Sequence, residues 1–163
     1  MKTTTNLTNP SDQWETPEDL FDAINNEYGF TLDVAATAWN NKLSNFYDEL
    51  NNSLVQDWIG TVWLNPPYSR GNINAFMRKA LNEFKNGNAK AVVALVRLDP
   101  SANWFTQFVH GQAHEIRMFP RRVKFVGASS GYPFPCCLVI YDESKAVLDE
   151  HGNVVTQYKI WDW

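Results

Sequence analysis

"VWLNPPYSRGN", residues 62–72, sets two consecutive prolines directly behind a strand-like apolar run, with an asparagine before them and a tyrosine after. Pro66 and Pro67 carry no backbone N–H, so a sheet ladder ends here. Each proline also pushes its predecessor out of helical geometry, which holds Asn65 and Pro66 extended. The result is a stiff mouth that presents the Asn65 amide and the Tyr68 ring at fixed positions. A turn that merely ended a strand would need neither side chain.

Downstream, "NINAFMRKALNEFKNG" (72–87) places Ile73, Phe76, Met77, Ala80, Leu81 and Phe84 on one stripe, with Gly87 closing it, which predicts a helix. "KAVVALVRL" (90–98) is a nearly continuous apolar strand, the pattern of a strand covered on both faces. Asp99 and Pro100 open a third helix, "SANWFTQFVHG", and strands follow at "HEIRMF" and "CCLVIYD". "DEHGNVV" reads as a hairpin near the C-terminus. Upstream, "WETPEDLFDAINNEYGF" predicts a helix capped by Thr16, begun by Pro17 and ended at Gly29. Short strands are expected at "FTLDVAA" and "TVWL", and residues 37–60 show no clear pattern. This order of elements means an α/β sheet, mostly parallel, with right-handed crossovers. Ligands bind such sheets beyond the carboxyl ends of the strands, where Asp33, Asn65 and Asp99 all fall.

The 163 residues suit a single domain over 14–163, behind a polar, flexible segment at 1–13. Hydrophobic content of 44% and charged content of 20% are those of an ordinary globular chain. No apolar run is long enough to cross a bilayer and the N-terminus lacks a signal-peptide core, so a cytoplasmic protein is expected. Cys136 and Cys137 are neighbours in a strand and point to opposite faces, which reads as two buried small residues. A net charge of −4 argues against broad nucleic-acid affinity, yet "RMFPRRVKF" (117–125) supplies four cations locally. His110 and His114 have a zinc-like spacing, but Gly111 breaks the helix between them and no third ligand is evident, so no metal is expected.

The mouth itself offers acceptors: the Asn65 side-chain oxygen and the carbonyls of Asn65 and Pro66. Acceptors suit a substrate that brings donors, above all a planar amino group. Such an amine is a poor nucleophile because its lone pair is delocalised into the ring. Two acceptors on its hydrogens favour pyramidal geometry and aim the lone pair at an electrophile, by positioning and electrostatics alone. Tyr68 is placed to stack on the base, and a base in a duplex must be flipped out to arrive.

Asn-Pro-Pro-Tyr behind a strand resembles motif IV of the amino-methyltransferases, which use S-adenosylmethionine. The ordered set "WETPEDLFD", "FTLDVAAT", "SLVQDW", "VWLNPPYS", "ANWFTQFV", "RRVKF" and "PFPCCLVIYD", spanning about residues 14–142, is similar to the phage-type DNA N-6-adenine methyltransferases. The resemblance implies a Rossmann-like methyltransferase sheet, a minimal single domain with helices on both faces. It implies that Asn65, Pro66 and Tyr68 hold the target adenine in DNA while Pro67 stiffens the loop. Thr16 and Pro17 would close over the methionine end of the cofactor, with Asp33 and Ala35 at the end of the first strand of its site. Asp48 or Asp57 would accept from its ribose or adenine. Arg121, Arg122 and Lys124 read equally as a phosphate-contacting strip or an exposed loop, while Arg70, two residues past Tyr68, is better placed for the phosphates that a flipped nucleotide brings to the pocket rim. Shielding of viral DNA from host restriction is the role the resemblance implies.

Two departures stand out. "DVAATAWN" has alanines where methyltransferases of this type carry a glycine-rich turn. Residues 37–60 are also few for two further strands and a helix, and no separate target-recognition domain fits, so a short recognition sequence or little preference is expected. The pocket chemistry by itself leaves RNA, the amino group of cytosine and a protein glutamine open as substrates. A non-catalytic DNA-binding module on the same fold is a further alternative. Asp99 reads equally as a helix cap or a pocket residue.

Overall fold

The computed structural model of the chain describes residues 14–69 and 71–163; the segment 1–13 and Arg70 lie outside the described residues. Helix α1, Glu18–Tyr28, buries Leu20, Phe21 and Ile24 along one side. Gly29 ends it in left-handed geometry (φ 60°), a conformation available to glycine without strain, and its N–H caps the Asn25 carbonyl. The helix starts later than the sequence predicts. Its N-cap is Pro17, with no side-chain cap bond. The Thr16 hydroxyl accepts instead from the Asn65 side chain.

The expected strand at 30–36 shortens to β1, Leu32–Asp33. Its physical cause is local: the buried Asp33 carboxylate accepts from the N–H groups of Ala35 (3.4 Å) and Lys42 (3.0 Å) and bends the chain back. Residues 37–59 hold no strand, only a 3-10 turn at Ser53–Val55 and an isolated parallel bridge from Asp33 to Phe46. Trp58 anchors this segment under α2, Asn72–Lys85, by donating its backbone N–H to Glu83 and its indole N–H to the Ser53 carbonyl.

Strand β2, Gly60–Leu64, pairs parallel with β1 and with β3, Ala89–Arg97. The third helix, α3, is short, Asn103–Phe108, and its N-cap is Ala102 rather than Asp99. Asp99 instead accepts from the Ser101 hydroxyl. Strands β4, Glu115–Met118, and β5, Cys136–Tyr141, follow. An unforeseen strand, β6 at Gln157–Ile160, pairs parallel with β4 behind the bridge Leu148–Val154 that closes the expected hairpin. The sheet order is β1-β2-β3-β5-β4-β6, with β5 antiparallel to both its neighbours.

Helices cover both faces, as the unbroken burial of β5 requires. On one face Phe21 of α1 meets Trp63 edge to face, and Arg117 of β4 pairs with Glu27 of α1 at 2.6 and 2.7 Å. On the other, Phe84 of α2 lies against Tyr141, whose hydroxyl donates to the Phe108 carbonyl of α3. Cys136 and Cys137 are buried free thiols, and burial pushes the Cys136 thiol up to about 12, which keeps it protonated and inert. No helix among the described residues is long and apolar enough to cross a membrane.

Candidate active site

Three strand ends build the site. Asp33 closes β1, Asn65 follows β2, and Asp99 follows β3 by two residues. A polar cleft of about 390 Å³, counting its open mouth, lies between the first two, and its lining includes Thr16, Asp33, Ala35, Asn65, Pro66 and Tyr68. The bend after β1 needs no glycine, because the described residues with positive φ in this chain include none of 34–36. Side-chain acceptance by Asp33 makes the turn that a glycine-rich loop makes elsewhere.

Asp33 is 3% exposed. Burial lifts its carboxyl to about 6, against the pull of the Lys42 and Ala35 N–H groups and the Lys42 charge. The Lys42 ammonium turns to Glu15 (3.3 Å) and Glu18 (2.8 Å), tying the loop after β1 to the start of α1. The cleft therefore holds a buried carboxylate with no cation paired directly against it among the described residues, a setting suited to a cationic ligand.

Asn65 sits at the cleft edge. Its Nδ2 donates to the Trp14 carbonyl at 2.8 Å and to the Thr16 hydroxyl at 3.1 Å. A carbonyl only accepts, so this contact fixes which end of the amide is nitrogen and which is oxygen. The Trp14–Thr16 segment is itself held by a bridge from Glu15 to Val126 and by the Trp14 ring stacked 5.7 Å from Phe125. Among the described residues, Asn65 Oδ1 accepts no hydrogen bond.

Tyr68 is 8% exposed and its hydroxyl donates to the Leu95 carbonyl at 2.9 Å. Phe125 and Tyr132 meet its ring edge-on. Burial raises the phenol well above its ordinary value, so it stays neutral. On its far side opens a second cavity of about 240 Å³, lined by Tyr68, Ile73, Arg97, Asp99 and Trp104. Tyr68 is thus the wall shared by cleft and cavity.

Other sequence-predicted residues fall elsewhere. Pro17 caps α1 beside the cleft without lining it. The Asp48 carboxylate accepts the N–H groups of Leu50 and Asn51 in its own turn, and the Asp57 carbonyl accepts from Tyr47; neither residue lines the cleft. Arg121 is pinned to the C-terminus by Asp162 (3.2 Å) and the Trp163 carbonyl (2.7 Å), while Arg122 and Lys124 are exposed. His110 shares a hydrogen bond with Tyr158, and His114 accepts from the Asp142 N–H in the interior. The cleft residues that sequence reading missed are Trp14, Glu15, Asn40, Lys42 and Trp63. The single cation of the Asn-rich run was their one visible signal.

A doubly covered α/β sheet with an acidic cleft, an oriented Asn-Pro-Pro-Tyr loop and an aromatic cavity beyond it defines an amino-methyltransferase class of site. The chain belongs to the DNA N-6-adenine-methyltransferase (Dam) family, which it matches over residues 3–137. It is similar to the DNA N-6-adenine-methyltransferase of Haemophilus phage HP1, 33% identical over 123 residues that cover 74% of this chain and 69% of the relative. It is also similar to the DNA N-6-adenine-methyltransferase of Escherichia phage T1, 36% identical over 99 residues, 59% of this chain. The aligned part spans 40% of the length of the T1 relative. Strand β6 lies beyond the family match.

Proposed function

We propose that this protein transfers a methyl group from S-adenosylmethionine to the N6 of an adenine flipped out of DNA. Membership of the Dam family and the names of both phage relatives support adenine in DNA over RNA, cytosine or a protein amide. The observation that carries the chemistry is the orientation of Asn65. Its nitrogen is committed to Trp14 and Thr16, which leaves Oδ1 as an acceptor of fixed orientation on a residue that lines the cleft.

The donor set of the cleft fits the methyl donor. S-adenosylmethionine, when bound, supplies a methyl on a cationic sulfonium, which leaves sulfur behind as a neutral thioether. A buried carboxylate raised to about 6 binds such a cation and gives up its proton affinity in return. Asp33 and Thr16 would hold the cofactor, with Ala35 letting it approach the backbone and Glu15 adding negative charge at the rim.

On the substrate side, Asn65 Oδ1 and the Pro66 carbonyl accept the two hydrogens of the adenine amine. That draws the lone pair out of the ring and aims it across Asn65 at the cleft. Pro67 holds the loop, and Tyr68 stacks on the base, a contact of about 1–3 kcal/mol in comparable sites. After transfer the cationic amine carries a surplus, strongly acidic proton, which passes to water. No side chain has to act as a strong base.

Labelled S-adenosylmethionine incubated with the protein and DNA, followed by digestion to nucleosides, tests this. Label in N6-methyl-2′-deoxyadenosine is expected, and label confined to protein or to cytosine overturns it. Resemblance to phage enzymes supports protection from host restriction as the biological role. Plasmid DNA from cells expressing the protein should then resist endonucleases that are blocked by adenine methylation.

A further inference from the structure

We propose that Arg97 is a nucleotide-contacting residue that donates to an acceptor of the extruded target nucleotide. This rests on the reading of Asn65–Tyr68 as the adenine loop. Arg97 is the last residue of β3 and its guanidinium carbon lies 3.8 Å over the Phe134 ring. Its Nε is buried without a hydrogen-bond partner. No carboxylate stands within ion-pair distance of it among the described residues. Arg117, a buried arginine among the described residues, has two carboxylates by contrast.

The Nε of this guanidinium has lost water without gaining an acceptor, and a ligand acceptor in the adjoining cavity would complete it. Stacking on Phe134 occupies one face of the fork and leaves its edges free. Arg97 faces the cavity that Tyr68, Ile73 and Trp104 wall with apolar surface, and Asp99 is the cavity's other charged member. Tyr68 is anchored to Leu95, two residues earlier on β3 and on the same face as Arg97. The Tyr68 anchor and the Arg97 backbone therefore both belong to the end of β3, not to a flexible loop. Aromatic walls with one fixed donor and one carboxylate match a nucleotide better than a free inorganic anion, which Asp99 would repel. The acceptor is a ring nitrogen of the base or an oxygen of its phosphate, and both present the same chemistry to the fork.

The test is the affinity of fluorescent target duplex for the full chain, read by anisotropy, with cofactor affinity and melting temperature measured in parallel. Arg97→Met should weaken duplex binding at least about ten-fold, as expected for a charged donor lost from a buried contact. Cofactor affinity should stay within about two-fold, since the residue does not line that cleft. Phe134→Leu, which removes the ring without touching a donor, should weaken duplex binding in the same direction. Duplexes carrying 1-deazaadenine, 3-deazaadenine, 7-deazaadenine or a methylphosphonate at the target identify the acceptor: the one that loses it should erase the difference between wild type and Arg97→Met. Unchanged duplex affinity in Arg97→Met, or one constant ratio across all substrates, overturns the proposal. Nucleoside digestion of the same samples reads methylation separately, so a failure of the adenine assignment is distinguishable from a failure of Arg97.

Discussion

The Asn65 side-chain amide donates to the Trp14 carbonyl across 51 positions of sequence, and this bond decides what the Asn-Pro-Pro-Tyr loop can do. Without it the amide is free to rotate and present either end. With it, and with Thr16 as second acceptor, the nitrogen end is fixed and the oxygen is left without a partner among the described residues. Asn65→Ala should lower the methylation rate about 100-fold or more, the scale of losing one preorganised group that acts on developing charge. Thr16→Val keeps the shape and drops the acceptor, so a loss of about ten-fold is expected, measured as kcat at saturating DNA.

Tyr68 joins site and core. Tyr68→Phe leaves the Leu95 carbonyl without its donor in a buried place and should cost about 1–2 kcal/mol in urea unfolding. The ring survives, so methylation should persist. Tyr68→Ala removes the shared wall of cleft and cavity and should abolish turnover while S-adenosylmethionine still binds, which calorimetry checks.

Asp33 should make cofactor binding depend on pH. Its folded carboxyl titrates at about 6 instead of 3.8, so it is increasingly protonated as pH falls through 6 and loses the charge that attracts a cation. Affinity for S-adenosylmethionine should therefore fall below pH 6, and Asp33→Asn should flatten that profile. The sign for stability is opposite. Between 3.8 and 6 the folded state binds more protons than the unfolded one, so the contribution of this group declines as pH rises. Asp33→Asn should then stabilise the protein above pH 6 by about 1–3 kcal/mol, seen in denaturant unfolding at pH 7.5.

Arg117 organises the opposite end of the sheet. It holds Glu115 and Glu27 at 2.6 Å, and Lys159 and Lys145 add to the two carboxylates at 2.9 and 3.1 Å. Arg117→Met leaves Glu115 buried with only an exposed lysine, and a loss of about 3 kcal/mol is expected. The Arg117 hydrogen bond lowers Glu27 to about 2, against burial and with help from Lys145. Its contribution is complete above the ordinary 4.5 and is lost as pH falls toward 2. Acid unfolding monitored by circular dichroism should shift to higher pH in Glu27→Gln.

Much of the architecture is legible locally. The stripe of α2, the apolar run of β3 and the proline pair after β2 are properties of neighbouring residues, and all three appear where the residues put them. The strand at β1 was read too long because its end is set by a carboxylate that captures an N–H nine positions away. Strand β6 was missed because a four-residue edge strand, mostly exposed, carries no alternation that separates it from a loop. Lys42 was missed because an ion pair with Glu15 and Glu18 leaves no mark on periodicity.

By itself the sequence determined the class of sheet, the stiffness of the Asn-Pro-Pro-Tyr mouth and the carboxyl-end positions of Asp33, Asn65 and Asp99, because prolines and short-range patterning act on the backbone nearby. Only the tertiary structure decided which end of the Asn65 amide is held, what shares the cavity with Tyr68 and which buried guanidinium nitrogen lacks a hydrogen-bond partner among the described residues. Those depend on hydrogen bonds and ring contacts between segments far apart along the chain, and such contacts exist only once the sheet has brought its strand ends together.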